Sequence, residues 1–175
     1  VNTVNVIANK TGEKEPTILY SLEKLINVGL VEKKKCITEE KNRKKTQYVL
    51  KDNMFKFWYK FVPKAISVVE MGQGELYYQK AVKPVLHSFM GSVFEDMCRY
   101  YTLQHGILGE FGCFITAAGS WWGTETVVNK DGEKRGQSVD IDVVALAETE
   151  KKAVVGECKF KNEKISGEVY ETLVH

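Results

Sequence analysis

The chain has 175 residues, of which 43% are hydrophobic and 27% are charged, so its composition is that of a globular protein with one ordinary domain or two small ones. Its net charge of +2 favours no particular class of partner, and no apolar stretch reaches the roughly 18 residues that a membrane span needs.

The cysteines point to a reducing compartment. No two of them have the spacing of a metal finger, and a chain of this length does not need disulfide bonds for stability. There is no secretory signal either, so we expect a cytoplasmic protein. Because the chain begins at Val1 and ends within a helical pattern, we also expect it to be a fragment of a longer protein. The cysteines are Cys36, Cys98, Cys113 and Cys158.

The first segment, residues 1–52, contains two helical patterns followed by two short strands. The first helix stops at Gly12, and the second opens with Pro16 and ends at Gly29. The order helix, turn, helix, β-hairpin resembles the later part of a winged-helix domain. We therefore expect a partial winged helix-turn-helix here.

The resemblance to a winged helix implies that this segment binds nucleic acid, most simply DNA. The second helix would enter a groove with its polar face, and the basic hairpin would contact phosphates. A solvated helix face and a solvated hairpin explain the same residues without a function. The implied contacts are Thr17, Tyr20, Ser21 and Lys24 on the helix, and Lys33, Lys34, Lys35, Lys41, Arg43, Lys44 and Lys45 on the hairpin.

The second segment, residues 53–83, is rich in aromatic side chains. We interpret residues 53–69 as a packing helix in a helical connector between two domains, since buried aromatics are the common case. A base-stacking platform and a dimer interface are the alternatives. The aromatic residues are Phe55, Phe57, Trp58, Tyr59 and Phe61.

The third segment, residues 84–175, begins with the strongest helical pattern in the chain, over residues 84–105. One face carries an apolar stripe that includes Val93, Met97 and Tyr100, and another carries small residues around Glu95. Small residues allow a helix to approach a sheet closely, so we expect Glu95 near the sheet. Strand patterns follow over residues 110–118, 138–146 and 152–160, and the chain ends in the start of a helix. This order predicts an α+β fold.

Two of these strands carry charged residues within apolar runs. A hairpin with its turn at Thr149 and Glu150 would place Asp142 opposite Glu157 and Asp140 opposite Lys159. Opposed carboxylates destabilise a sheet, and a divalent cation would offset that cost. Mg²⁺, or Mn²⁺, bound by Asp142 and Glu157 would polarise a phosphate, while Lys159 would stabilise its developing charge.

The set formed by Glu95, Asp142, Glu157 and Lys159 resembles the motif of the PD-(D/E)XK nuclease superfamily. In that motif an Asp is followed about fifteen residues later by Glu-x-Lys, and a Glu stands on the preceding helix. The resemblance implies a restriction-endonuclease-like α/β domain with a mixed central sheet and magnesium-dependent cleavage of nucleic acid. It implies that Asp142 and Glu157 are metal ligands, Lys159 is the catalytic lysine and Glu95 is the acid of the helix.

Nearly the whole chain resembles the C-terminal region of an archaeal-type AAA ATPase family that is also found in bacteria. The stretches that carry this resemblance are FKFWYKFV, SFMGSVFEDMCRYY, SWWG and VDIDVVAL. The family joins a winged helix to a nuclease-like domain of unknown function, and the resemblance implies an ATPase domain upstream in the same protein. The 175 residues contain no phosphate-binding loop of their own.

Other interpretations of the same residues remain open. A structural salt bridge between Asp140 and Lys159 explains two of the charges without catalysis. The nuclease-like domain can also serve as a catalytically silent module that holds DNA or a protein partner for the ATPase. A homo-oligomerisation domain is a third possibility. Of the two tryptophans in GSWWG, we expect one in the core, and Trp121 or Trp122 can line the cleft.

Overall fold

A computed structural model describes residues 2–39, 42, 45–128 and 134–174. The chain divides into two compact units. The first contains Val1–Lys35 and Glu39–Leu86, and the second contains Cys36–Thr38 and His87–His175. Of the predicted DNA contacts, Lys41, Arg43 and Lys44 lie outside the described residues.

The first unit opens with two helices and a two-stranded hairpin. Helix α1 spans Val4–Thr11, α2 spans Glu15–Asn27, and strands β1 (Val31–Lys34) and β2 (Gln47–Leu50) pair antiparallel. The predicted boundaries are confirmed because their local signals are strong. Thr3 caps α1 by accepting a hydrogen bond from Val6 N, and Gly12 and Gly29 have positive φ where the two helices end.

A small apolar core holds these elements together. One side of α1, one side of α2 and the β1–β2 hairpin contribute side chains to a single buried apolar cluster. The fold therefore has the predicted order of helix, helix and hairpin. The buried members of the core are Ala8, Ile18, Leu22, Val31 and Tyr48.

The aromatic segment is broken rather than continuous. Helix α3 spans Asn53–Phe61 and begins at Asp52, whose carboxylate accepts hydrogen bonds from two backbone N–H groups. The single helix expected over residues 53–69 is therefore wrong, since Pro63 lacks an N–H group and disfavours helical geometry before it. Three short elements follow: α4 (Ile66–Glu70), α5 (Gly74–Tyr77) and a π-helical segment (Tyr78–Val82).

Of the aromatic side chains, only some are packed as expected. Phe61 is 5% exposed and its carbonyl accepts a hydrogen bond from Tyr77 Oη at 2.9 Å. Trp58 and Tyr59 are 48% and 62% exposed. The expected packing is thus met at Phe61, whereas Trp58 and Tyr59 are largely exposed to solvent.

The second unit is built from helices and one antiparallel sheet. The long helix α6 (Lys83–Ile107), within which the division into units falls, precedes strand β3 (Ala117–Val128), strand β4 (Lys134–Ala147), strand β5 (Lys152–Gly156) and helix α7 (Gly167–Val174). A 3₁₀ turn, Glu148–Glu150, joins β4 to β5, and the strand order is β3-β4-β5.

The sheet corrects two of the predictions. Its described strands are all antiparallel and not mixed, as a short hairpin connection such as that between β4 and β5 requires. The strand expected over residues 110–118 begins only at Ala117, because Gly109 and Gly112 have positive φ and turn the chain before it. β3 instead continues through Trp121 and Trp122, with a bulge between Gly119 and Trp121.

Helix α6 meets the sheet through its C-terminal end. A Cβ atom at Gly106 would lie 2.5 Å from Ile115 Cδ1, so this contact requires glycine. Of the predicted apolar stripe, Val93 is buried, but Met97 and Tyr100 are 59% and 69% exposed. The small-residue face packs inward in part, since Thr102 is buried. The central cluster of this unit consists of Cys113, Ile115, Ala145 and Ala147.

These features give an α+β architecture with two small antiparallel sheets. Within the described residues, no helix is both long enough and apolar enough to cross a membrane.

Candidate functional site

The predicted acidic hairpin has the expected register. Val143 pairs with Gly156 and Ala147 pairs with Lys152, and the same register continued by one step would place Asp142 beside Glu157. Strand β5 ends at Gly156, however, so these two residues lie just beyond the last ladder pair. The charges therefore occupy the end of the hairpin, where the backbone leaves the sheet.

Asp142 is fixed from two directions. Its Oδ2 atom accepts a hydrogen bond from Cys158 N at 2.8 Å, and its backbone carbonyl accepts one from Arg99 Nη1 at 2.6 Å. Beyond the end of β5 at Gly156, the Asp142 carboxylate thus accepts the N–H hydrogen bond that a backbone carbonyl of β4 would accept within the sheet. Asp142 has a structural role here whatever its chemistry.

Arg99, on helix α6, was not among the predicted site residues. Its side chain is only 11% exposed, lies 3.7 Å from Glu95 Oε2 and forms an ion pair with Asp96. It thereby connects the acid of the helix to the strand that carries Asp142. Arg99 follows Asp96 by three residues and Glu95 by four, and this spacing on a helix predicts ion pairs from the sequence alone.

Glu157 and Lys159 form an ion pair with each other. The hydrogen bond that Lys159 Nζ donates to the Glu157 carboxylate raises the pKa of Lys159, and the charges of Glu157, Asp142 and Asp140 act in the same direction. Lys159 is therefore an ammonium ion at neutral pH and acts as a cation, not as a base. The predicted salt bridge between Asp140 and Lys159 is corrected, since Glu157 is the partner that the ammonium group contacts.

Asp140, Glu157 and Lys159 open onto a cleft of about 930 Å³. One side of the cleft is the outer part of the β3–β4 hairpin, and helix α7 contributes two apolar side chains. Asp140, which pairs with Trp122 across the sheet, thus lines the cleft, although the sequence predicted for it only a structural salt bridge. The lining residues are Trp121, Thr124, Glu125, Gln137, Ser138, Val139, Asp140, Ile141, Glu157, Lys159, Val169 and Leu173.

The donor atoms offer a partial fit to a hard divalent cation. Asp142 and Glu157 supply carboxylate oxygens at one end of the hairpin, and Mg²⁺ commonly binds one or two carboxylates together with water and phosphate. In the ranges that the structure describes, no three His, Cys, Asp or Glu side chains lie close enough to hold a metal ion. Glu95 contacts Arg99, so a three-acid set is not assembled there.

Cys158 lies between the two motif residues and has a different environment. Burial, a hydrogen bond with Cys98 and the charges of Asp142 and Glu95 together raise the pKa of its thiol to about 12. The thiol therefore stays protonated at neutral pH, which does not suit a nucleophile. All four cysteines are free.

In the first unit, the predicted DNA-contacting residues of α2 are exposed. Lys24 Nζ lies 4.2 Å from the centre of the Tyr20 ring, and Tyr20 is 61% exposed. On the hairpin, Lys33 and Lys35 are exposed and Lys34 is half-buried. Lys45 is held by an ion pair with Glu39, which reduces the charge it offers to a partner.

Comparison with known proteins gives two matches. The model of the DUF234 family, archaeal and bacterial proteins of unknown function, matches residues 58–170. An uncharacterised protein of Methanocaldococcus jannaschii is 27% identical over 161 residues, which make up 92% of this chain and 33% of that protein. The chain thus spans about a third of the length of this curated relative. No solved structure matches the chain.

Proposed function

Since the chain belongs to the DUF234 family, whose function is unknown, we propose a function from the site: hydrolysis of phosphodiester bonds in nucleic acid by a metal-dependent nuclease centre in the second unit. One observation supports it above all. The hairpin register brings Asp142, Glu157 and Lys159 together at a strand end, and Glu157 and Lys159 line an open cleft. The sequence resemblance to PD-(D/E)XK nucleases supports the same roles.

In this proposal each residue has a stated task. Lys159, protonated at neutral pH, places a positive charge beside the phosphate where negative charge develops. Asp142 and Glu157 are the candidate ligands of Mg²⁺ or Mn²⁺, and Glu95 is the acid of the neighbouring helix. When bound, such a cation supplies Lewis-acid polarisation of the phosphate and a more acidic water.

The reaction itself is a simple displacement. The oxygen of a water molecule forms a bond to phosphorus and the water gives up one proton to solvent. The bond from phosphorus to the leaving sugar oxygen breaks, and that oxygen takes up one proton from solvent. Lys159 contributes by electrostatic attraction, and Arg99 contributes only by holding Asp142 and Glu95 in position. Arg99 is therefore a positioning residue in this scheme.

The first unit would bind the nucleic acid, most simply DNA. Its exposed Thr17, Tyr20, Ser21 and Lys24 lie on one helix, and the exposed Lys33 and Lys35 lie on the adjoining hairpin segment. Such contacts act through phosphates and carry no sequence information by themselves. The resemblance to the AAA ATPase family adds an upstream ATPase domain of the same protein and a cytoplasmic setting to the proposal.

The proposed activity is tested with purified protein, Mg²⁺ or Mn²⁺, and labelled single-stranded and duplex DNA and RNA. Lys159→Met and Asp142→Asn should each lower the cleavage rate by about 100-fold or more, because they remove charge at the transition state. Asn keeps an oxygen that can accept the Cys158 N–H bond. Lys161→Met, which removes an exposed lysine two residues away, serves as the matched control. No cleavage of any substrate by the wild-type protein would refute the nuclease proposal.

A catalytically silent binding or regulatory module is the second candidate function. It is favoured by the way the protein's own cations neutralise the acids: Arg99 contacts Glu95, and Lys159 contacts Glu157. Titration calorimetry separates the two proposals. Binding of Mg²⁺ or Mn²⁺ that disappears in Asp142→Asn supports the nuclease centre, whereas no heat of metal binding supports the silent module.

A further inference from the structure

One wall of the cleft is aromatic. Trp121 lies on β3, is half-buried and pairs across the sheet with Ile141. It lines the same cleft as Lys159 and Glu157. None of the roles proposed above uses this side chain.

The position of the indole depends on the residue two places further along the strand. A Cβ atom at Gly123 would lie 2.6 Å from Trp121 Cη2 and 2.8 Å from Cζ2. The outer end of the ring therefore lies over the Gly123 backbone, in space that any side chain would fill. Glycine at this position keeps the ring in its present orientation against the strand.

The surroundings of the indole suit the edges of a nucleobase. Glu125 pairs with Gln137 on the face of the hairpin that carries Trp121 and Gly123, so a carboxylate and an amide lie beyond the outer end of the ring. Together they offer both donors and acceptors of hydrogen bonds. A ring face bordered by such groups is typical of a site that stacks a base and contacts its edge.

The charge of the cleft adds a reason for stacking. Glu125, Asp140 and Glu157 carry negative charge there, and Lys159 carries positive charge. These walls therefore carry a net negative charge and repel a polyanion when no cation is bound, so stacking would have to supply the attraction. Stacking does not depend on charge, so it can hold a strand where the electrostatic attraction is weak.

We propose that Trp121, laid over Gly123, is a stacking platform for one unpaired base, and that single-stranded nucleic acid is the ligand of the cleft. The bases of a duplex are stacked on each other and offer no free face to the indole. The proposal rests on the proposed function for the choice of nucleic acid, but it concerns binding and is tested without cleavage.

The test compares two labelled single strands in EDTA at constant ionic strength, by fluorescence anisotropy. One is a ten-nucleotide oligothymidylate, and the other is an abasic deoxyribose-phosphate strand of the same length and charge. We expect the wild-type protein to bind the first about 5- to 150-fold more tightly, the effect of stacking one base. Trp121→Ala should abolish this preference, Trp121→Phe should keep most of it, and Gly123→Ala should weaken it.

The control is Tyr100→Ala, which removes an exposed aromatic side chain of helix α6 and should leave the preference unchanged. Circular dichroism checks the fold, and Trp121→Leu, which is apolar but has no π face, replaces Trp121→Ala if the latter does not fold. A base preference that survives loss of the indole overturns the proposal. Cleavage without dependence on Trp121 refutes the platform alone, and a Trp121-dependent preference without cleavage refutes only the nuclease.

Discussion

At the scale of single residues, the structure explains how charged side chains are tolerated in an apolar hairpin. Asp142 accepts hydrogen bonds through a carboxylate oxygen and through its carbonyl, so its polar atoms are paired inside the protein. Arg99 and Lys159 supply the positive charges nearest to the acids. Hydrogen bonds and ion pairs thus offset much of the free-energy cost of burying these charges. From the sequence alone, a bound metal ion was expected to offset that cost.

Arg99 gives a prediction at this scale. Arg99→Met should lower the free energy of unfolding by about 1–3 kcal/mol, because it leaves a carbonyl and two carboxylates without their cation. Urea denaturation measures the change. The control is Lys152→Met, which removes the cation of an exposed ion pair with Glu150 and should cost less than about 1 kcal/mol. Equal effects of the two substitutions would show that Arg99 does not anchor the site.

At the scale of secondary structure elements, glycine decides one boundary that the hydrophobic pattern alone misplaces, the start of β3. Gly109 and Gly112 have positive φ, so the apolar residues that follow α6 form turns before β3 can begin. Ile115 then fills the space against Gly106 at the end of the helix. The C-terminal end of the long helix therefore packs closely against the segment that precedes β3, and Arg99 of the same helix contacts Asp142 on β4.

This contact predicts opposite effects for two glycines of the same helix. Gly106→Ala should destabilise the protein by about 1–3 kcal/mol through overpacking against Ile115, which is fully buried. Gly91→Ala should stabilise it by about 0.5–1 kcal/mol, because a Cβ there meets nothing within 4 Å and alanine favours the helix. Thermal and urea unfolding of the two variants test this. Stabilisation by both substitutions would contradict the close contact.

At the scale of the whole molecule, the net charge of +2 conceals an uneven distribution. In the first unit the hairpin segment carries the exposed Lys33 and Lys35, and α2 carries one exposed lysine, Lys24, whereas the cleft of the second unit has three acids and one lysine. The two units therefore suit different tasks in the proposed function. The first would contact phosphates of the nucleic acid, and the second would stack a base and hydrolyse the phosphodiester bond.

This difference predicts a salt-dependent affinity for DNA. The logarithm of the binding constant should fall linearly with the logarithm of salt concentration, and Lys24→Ala should reduce the slope by about 1, since it removes one phosphate contact. Filter binding or anisotropy on a 20-base-pair duplex over a salt series measures both. Lys80→Ala, an exposed lysine outside α2 and the hairpin, is the control. An unchanged slope in Lys24→Ala would exclude α2 as a phosphate-binding element.

Much of the fold was predictable because its signals are local. Thr3, Pro16, Gly12 and Gly29 mark the limits of the first two helices through capping and backbone preference, which depend on near neighbours in the chain. The register of the β4–β5 hairpin followed from its turn, because pairing in a hairpin is set by the connection. Strand β3 was misplaced, since its bulge and its polar outer half disturb the alternation that identifies a strand.

The sequence by itself determined which charged residues stand at the end of the acidic hairpin, since alternation and turn length put Asp142 next to Glu157. Only the tertiary structure decided their partners. Arg99 reaches Asp142 from 43 residues away, Lys159 pairs with Glu157 and not with Asp140, and Trp121 enters the cleft because Gly123 leaves it room. These contacts depend on how a helix and a bulged strand pack, which no local preference encodes.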